Sequence, residues 1–268
     1  MTYAQRHSCD FVSDVIEKYV EIIEKPTICY DHRGITKEEM IIHNFSELSY
    51  LYQYKNKIAS SSVLSNEVRQ AFIGCGKIFP DMKCLVVSHC DHVFNDLCGG
   101  KPTLPISSDS QYLRGWLDNA ISNLVVLDNL KTLMDNHIGV LFTGYEEIMG
   151  LGAKKFVDSF EPSHEVFVIN MDVTKRYVDM EFEAPVFELP DDSPSQRAKI
   201  SEIIGARRFQ SMFSFDDSVI FSQDPTFKAI SYCIQTTGNM HSGNCKTKIS
   251  SFIEYYKGFS DIVHLFSI

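Results

Sequence analysis

The sequence predicts an α/β fold, a three-layer α/β/α sandwich around a mixed, largely parallel central sheet. Three observations predict it. Short apolar, β-branched runs of strand length alternate with longer segments whose apolar residues recur at helical spacing. The chain is 268 residues long and 44% hydrophobic, enough for a sizeable core. No internal repeat, low-complexity tract or linker divides it, so residues 1–268 read as a single domain.

Taken in order, residues 10–24 (DFVSDVIEKYVEIIE) place Phe11, Val12, Val15, Ile16, Val20, Ile22 and Ile23 at mostly helical spacing ahead of Pro26. Residues 37–57 read as a second helix. KCLVVSH (83–89) is a buried strand, and GGKPTLPISSDS (99–110) is loop by composition. The next helix spans 118–136, with Ile121, Leu124, Val125, Leu127, Leu130 and Met134 as its apolar positions. HIGVLFTG (137–144) is a strand, EEIMGLGAKKFVDSF (146–160) a helix and HEVFVINMD (164–172) a strand. DDSPSQ (191–196) interrupts the pattern before a helix over 197–208. KAISYCIQT (228–236) is a strand, and 250–267 a closing helix.

A net charge of −10 and the absence of any Lys/Arg run argue against a nucleic-acid surface. No window approaches the ~20 apolar residues of a membrane span, and the N-terminus has no apolar stretch after a basic start. The expectation is a soluble, cytoplasmic protein without membrane contact. The eight cysteines form no CxxC pair and no secreted framework, which suits reduced, mostly buried thiols.

In open α/β sheets ligands gather at the carboxyl ends of the strands. There the first strand ends in His89 and Asp91, within VVSHCDHV. Asp118 precedes a helix in GWLDNA, the next strand delivers Glu146 and Glu147, the following one Asp172, and His241 follows the last in GNMHSG. Singly, each has an ordinary structural explanation: a helix dipole favours the Glu pair, Asp118 suits an N-cap, and Asp172 suits a turn. Independent structural roles do not explain why all these positions carry metal-type ligands. The set has the composition a two-metal hydrolytic centre needs: imidazoles, terminal carboxylates, a bridging carboxylate and a spare base. Cys90 points away from His89 if strand geometry persists and reads as packing. His92 reads as a surface or rim residue.

The series SHCDHV, GWLDNAISNLVVL, LFTGYEEIMGLGAKKF, VINMD and NMHSG resembles the co-catalytic di-zinc exopeptidases. That superfamily includes the leucyl-aminopeptidase type, the tetrahedral-assembly aminopeptidases and the dipeptidase, tripeptidase and deacetylase group. The resemblance implies two Zn2+ per chain, or Co2+ or Mn2+. It implies His89, Asp118 and Asp172 at one ion and Asp118, Glu147 and His241 at the other. Asp118 would be the bridge, Glu146 the general acid/base, and Asp91 the group that orients His89. Asp217, in FSFDDSVIF, takes a structural or supporting role.

Spacing narrows the branch. His241 follows Asp172 by 69 positions (241 − 172) and Asp118 follows His89 by 29 (118 − 89). Neither interval holds the extra domains of the multi-domain branches, so a single catalytic domain without lid or dimerisation insert is expected. The wording EEIMGLGA is nearer to those branches, which leaves the branch open. Two departures stand out: Cys245 occupies the place of an acidic residue four positions after the last His, and DNAIS lacks the usual Gly after the bridging Asp.

The implied activity is cleavage of a peptide or amide bond at a chain terminus, foremost as an aminopeptidase. The alternatives are deacylation of an N-acyl amino acid or small amide, single-zinc glutaminyl cyclisation, which the full ligand set disfavours, and an altered peptidase-like binding protein. The partner implied is a peptide or N-acyl small molecule; oligomeric state is left open. Specificity is expected in loops 94–114 and 205–226, where Phe94, Tyr112, Phe213 and Phe215 are candidates for an apolar side-chain pocket but read first as core or surface residues.

Overall fold

A computed structural model describes residues 3–23, 72–75, 82–92, 106–147, 149–175, 185–190, 194–204, 209–212 and 215–266. The helix expected over 37–57 lies outside these residues, as do Phe213 and residues 94–105 of the loop 94–114, Phe94 included.

The described helices are α1 (Tyr3–Ile23), α2 (Ala120–Asp135), α3 (Leu151–Val157), α4 (Pro194–Ile204), α5 (Asp217–Ser222) and α6 (Ile249–Leu265). The strands are β1 (Phe72–Cys75), β2 (Cys84–His89), β3 (Ser107–Ser108), β4 (Tyr112–Gly115), β5 (Gly139–Thr143), β6 (Val166–Lys175), β7 (Val186–Leu189), β8 (Phe209–Ser211), β9 (Phe227–Thr236) and β10 (Cys245–Lys248). Seven strands form the main sheet in the order β1-β5-β2-β6-β9-β7-β8, and β10-β4-β3 form a small second sheet. The inner strands β5, β2, β6 and β9 are parallel. β1 and β7 run antiparallel to β5 and β9. This is the mixed, largely parallel sheet that the sequence predicts.

The parallel strands are apolar on both faces because both faces are covered. Along β2, Cys84 and Val86 join the core beneath α1, α2 and α6, whereas Leu85 and Val87 join the core beneath α3 and α5. The two-residue period of the strand thus supplies both layers from one short segment. α2 is buried nearly all round, which explains its continuous apolar sequence. α1 docks on α2 and α6 through Asp128, which accepts from Lys18 Nζ at 2.9 Å and from the Tyr256 hydroxyl at 2.7 Å. Among the described residues no helix is long and apolar enough to cross a membrane.

The chain leaves β2 through α2 to β5 on one side, and β6 then pairs on the other side of β2. The order therefore reverses at β2, and reversal opens a crevice at the carboxyl ends of the strands. His89 is the last residue of β2. Val87 is in register with Asn170, so His89 and Asp172, two residues further on, emerge at one level.

Three expectations are corrected. The helix expected over 146–160 is only Leu151–Val157; Glu146 and Glu147 lie in the turn ahead of it. Gly150 precedes that helix at φ +64, and a Cβ there would press on Ile220 at 2.8 Å and Asp217 at 3.2 Å, so the turn requires glycine. Asp118 is not the N-cap of α2: that position is Asn119, whose side chain makes no capping bond. The loop expected over 99–110 contains the two-residue strand β3.

Candidate metal centre

His89, Asp118, Glu146, Glu147, Asp172 and His241 converge at the crevice. The Asp118 carboxylate lies between two imidazoles, with Oδ1 3.2 Å from His89 Nε2 and Oδ2 3.3 Å from His241 Nε2. His89 Nε2 also faces Asp172 Oδ1 at 3.5 Å and Glu146 Oε2 at 3.9 Å. His241 Nε2 faces Glu147 Oε2 at 3.8 Å. One ligand atom each from His89, Asp118 and Glu147 lies within 4.8 Å of the others.

Each side chain is delivered by a local device. Ser88, Asn119 and Asn123 tie the end of β2 to the start of α2. Ser88 Oγ donates to Asn123 Oδ1 at 2.9 Å, Asn123 Nδ2 to the His89 carbonyl at 2.9 Å, and Asn119 Nδ2 to Ser88 Oγ at 3.1 Å and the Met171 carbonyl at 2.7 Å. These bonds fix His89 and Asp118 relative to β6, which carries Asp172. The Asp118–Asn119 peptide is cis. His92, expected at the rim, is half-buried, and its Nδ1 hydrogen-bonds the Asp118 carbonyl; its ring stands edge-on to Trp116.

Asp91 contacts His89, as expected of it, and its carboxylate has a second task. Its carboxylate accepts the backbone amides of Glu146 and Glu147, each at 3.2 Å, and so fixes the turn that presents the Glu pair. The His89 Nδ1 is held at 3.1 Å by the Asp91 backbone carbonyl, with the carboxylate at 3.6 Å. A carbonyl only accepts, so Nδ1 carries a proton and Nε2 is the atom turned toward the carboxylates.

His241, in the loop between β9 and β10, is exposed, its side chain 44% accessible. Gly238 opens that loop at φ +91, where a Cβ would overlap the Asn244 carbonyl. Cys245 does not support His241. It is fully buried on β10 opposite Gly115, its thiol lies against Thr236 and the Leu117 backbone, and burial pushes it up to about 11.

The electrostatics are unbalanced. Burial pushes the Glu147 carboxyl up to about 8, and the Asp118 charge adds to the shift. Burial likewise raises Glu146 well above the carboxylate range, against the pull of His89, and raises Asp172. Burial also opposes ionisation of Asp118, but hydrogen bonds from His241 and His89 hold it well below the usual value. The His89 imidazole is penalised by burial, yet Glu146 and Asp172 outweigh that and push it well up. His241 is raised by its hydrogen bond with Asp118. Two protonated imidazoles do not neutralise so many carboxylates, and Glu147 Oε1 is buried with no partner. A lone pair on His89 Nε2 facing carboxylate oxygens is tolerable only with a cation or proton between them. The donor set, imidazole nitrogen and carboxylate oxygen, is the one that suits zinc, and the residues fit bound metal.

Imidazoles and carboxylates at the carboxyl ends of parallel strands are the layout of a metal-dependent hydrolase. Residues 76–242, more than half the chain, match Peptidase family M28, and the chain belongs to that family, within the co-catalytic zinc peptidases. No curated protein matches it. Several solved structures share its fold. One is the PhTET1 dodecamer, at TM-score 0.65 and 12% identity over 92% of this chain and 98% of that one. Another is the aminopeptidase PepT of Bacillus cereus, at 0.58 and 8% over 94% and 98%. A third is the aminopeptidase LapA of Legionella pneumophila, at 0.58 and 12% over 99% and 73%.

Proposed function

We propose that the chain is a metal-dependent aminopeptidase whose centre holds two divalent ions, zinc by its donor chemistry and cobalt or manganese as substitutes. The observation that carries this reading is Asp118, each of whose oxygens faces a different imidazole, at 3.2 and 3.3 Å. That is the placement of a bridging carboxylate. His89 and Asp172 would complete one position, and Glu147 and His241 the other. Residues 1–268 then form one catalytic domain, since the intervals of 29 and 69 residues leave no space for a lid or dimerisation insert.

Two bound divalent cations supply Lewis-acid polarisation of the scissile carbonyl and make an adjacent water more acidic. The protein supplies the rest. Glu146, 7% exposed, takes the proton from the attacking water and delivers it to the leaving amine as the C–N bond breaks. Asp91 keeps Glu146 in place through its amide, and the Asp91 carbonyl keeps His89 in the tautomer that turns Nε2 inward. Burial on the β2 side excludes water, and exposure at His241 leaves an approach for a peptide terminus.

The test is a comparison of aminoacyl, N-acyl and carboxy-terminal substrates with zinc, cobalt or manganese present, alongside elemental analysis. Hydrolysis of aminoacyl substrates with two ions per chain is expected. Hydrolysis of N-acyl substrates alone would make the chain a deacylase. One ion per chain would favour cyclisation, and no metal at all a binding protein.

A further inference from the structure

His92 follows the ligand His89 by three residues and has no step in the chemistry above. It is half-buried, its ring edge-on to Trp116 at 6.2 Å between centroids, and its Nδ1 meets the Asp118 carbonyl. A carbonyl only accepts, so Nδ1 carries the proton and donates. His92 thus touches the stretch Trp116–Asp118 at both ends, by packing at one and by a hydrogen bond at the other.

The start of α2 shows where that bond matters. The Ile121 amide donates to the Leu117 carbonyl at 3.0 Å, and the Asn123 amide to the Asn119 carbonyl at 3.1 Å. The carbonyl between those two belongs to Asp118 and goes to His92. Asn119 is fixed through its own side chain, which donates to Ser88 Oγ and the Met171 carbonyl. Asp118 has no such anchor in its side chain, whose two oxygens face different imidazoles at 3.2 and 3.3 Å. A small rotation of that carboxylate lengthens one contact as it shortens the other, so its backbone must be held from elsewhere.

We propose that His92 is a positioning residue for the metal centre: its bond to the Asp118 carbonyl sets the orientation in which the Asp118 carboxylate is shared between two ions. This role rests on the two-ion reading of Asp118 given above. The segment after β2 then acts three times, through His89 as a ligand, Asp91 on the glutamate turn and His92 on the bridge. Loss of the His92 donor removes no ligand. It leaves one ion its full set and weakens the hold on the second, which needs the same carboxylate turned correctly.

The purified protein is stripped of metal and titrated with zinc against a chelating indicator, and the cobalt-loaded form is followed by its visible absorption. His92→Phe keeps a ring at Trp116 and removes the donor. His92→Asn places an amide Nδ2 near the lost Nδ1, whereas the longer His92→Gln places its amide at the level of Nε2. The second ion is expected to bind His92→Phe and His92→Gln about 10–100-fold more weakly than wild type, with an altered cobalt spectrum. His92→Asn is expected to restore affinity and spectrum. A merely structural role would lower the unfolding temperature of all three metal-free variants and leave His92→Asn no better than His92→Gln. That result, or wild-type affinity for the second ion in His92→Phe, overturns the proposal. Should His92→Phe fail to fold, the comparison of His92→Asn with His92→Gln decides. A wild-type protein that takes fewer than two ions overturns the two-ion reading itself, and this role with it.

Discussion

The Glu146 backbone amide donates to the Asp91 carboxylate at 3.2 Å, and that bond joins the end of β2 to the turn after β5. Asp91 is fully buried, and its other oxygen takes the Glu147 amide, so one carboxylate sets the position of two neighbouring side chains with different proposed tasks. Asp91→Ala leaves both amides without an acceptor. Activity or metal affinity is expected to fall by about 10–100-fold, with Asp91→Asn, which keeps one acceptor oxygen, falling less. Steady-state kinetics at saturating zinc separates the loss of turnover from the loss of metal.

Glu146→Gln removes the proton acceptor and keeps the shape. Turnover is expected to drop by about 10²–10⁴-fold while metal content is retained. Elemental analysis of the purified variant against its kcat checks both halves, and retained hydrolysis would remove Glu146 from the mechanism.

Metal binding is expected to stabilise the fold, because the crowded carboxylates are costly without a cation. At a zinc concentration 1,000 times Kd the gain is about 4 kcal/mol. Asp118→Ala deletes the carboxylate shared by both imidazoles and abolishes most of it. Thermal unfolding with and without chelator reads the difference.

Asp216 caps α5 by accepting the Ser218 amide at 2.8 Å, and burial, aided by the Asp172 charge, raises its pKa to about 7. A carboxyl raised in the folded state stabilises the fold fully below its unfolded pKa of 3.8 and loses that contribution as pH rises through about 7. The metal-free protein should therefore become less stable between pH 4 and 7 on account of this group. Asp216→Asn keeps the cap and does not ionise, so urea unfolding of the variant should show a flatter pH dependence over that interval.

Helix propensity favours Gly258→Ala by about 1 kcal/mol. Packing opposes it, since a Cβ there would overlap the Tyr232 hydroxyl. That ring is buried, stacked on Tyr255 at 4.9 Å, and its hydroxyl donates to the Tyr255 carbonyl. It has nowhere to retreat, so a net loss of about 1–3 kcal/mol is expected in denaturant unfolding.

The inner strands β2, β5, β6 and β9 were legible because burial on both faces leaves continuous apolar runs. β4 (YLRG) and β10 (CKTK) were not, because a short strand of a small sheet has no such run. α3 starts late because the Asp91 carboxylate and Gly150 shape the turn before it, and neither effect is visible in the spacing of EEIMGLGA. The ligand-type residues were legible because each falls at a strand end or in the loop after it. The supporting polar groups, Ser88, Asn119, Asn123 and His92, were not: their partners are mostly backbone atoms of distant segments, which only chain closure brings near. Two asparagines at helical spacing in the otherwise apolar DNAISNLVVL were the available signal.

Four of the six converging side chains come from strands or from turns locked against strands, and Asp118 is held by the α2 junction. His241 alone comes from an exposed loop, clamped at its foot by the Thr237–Lys246 pair. The cluster is thus a buried socket with one exposed wall. For the metal set proposed, the position completed by His241 is expected to exchange its ion faster than the position completed by Asp172. Chelation would then proceed in two kinetic phases, and reloading in the reverse order.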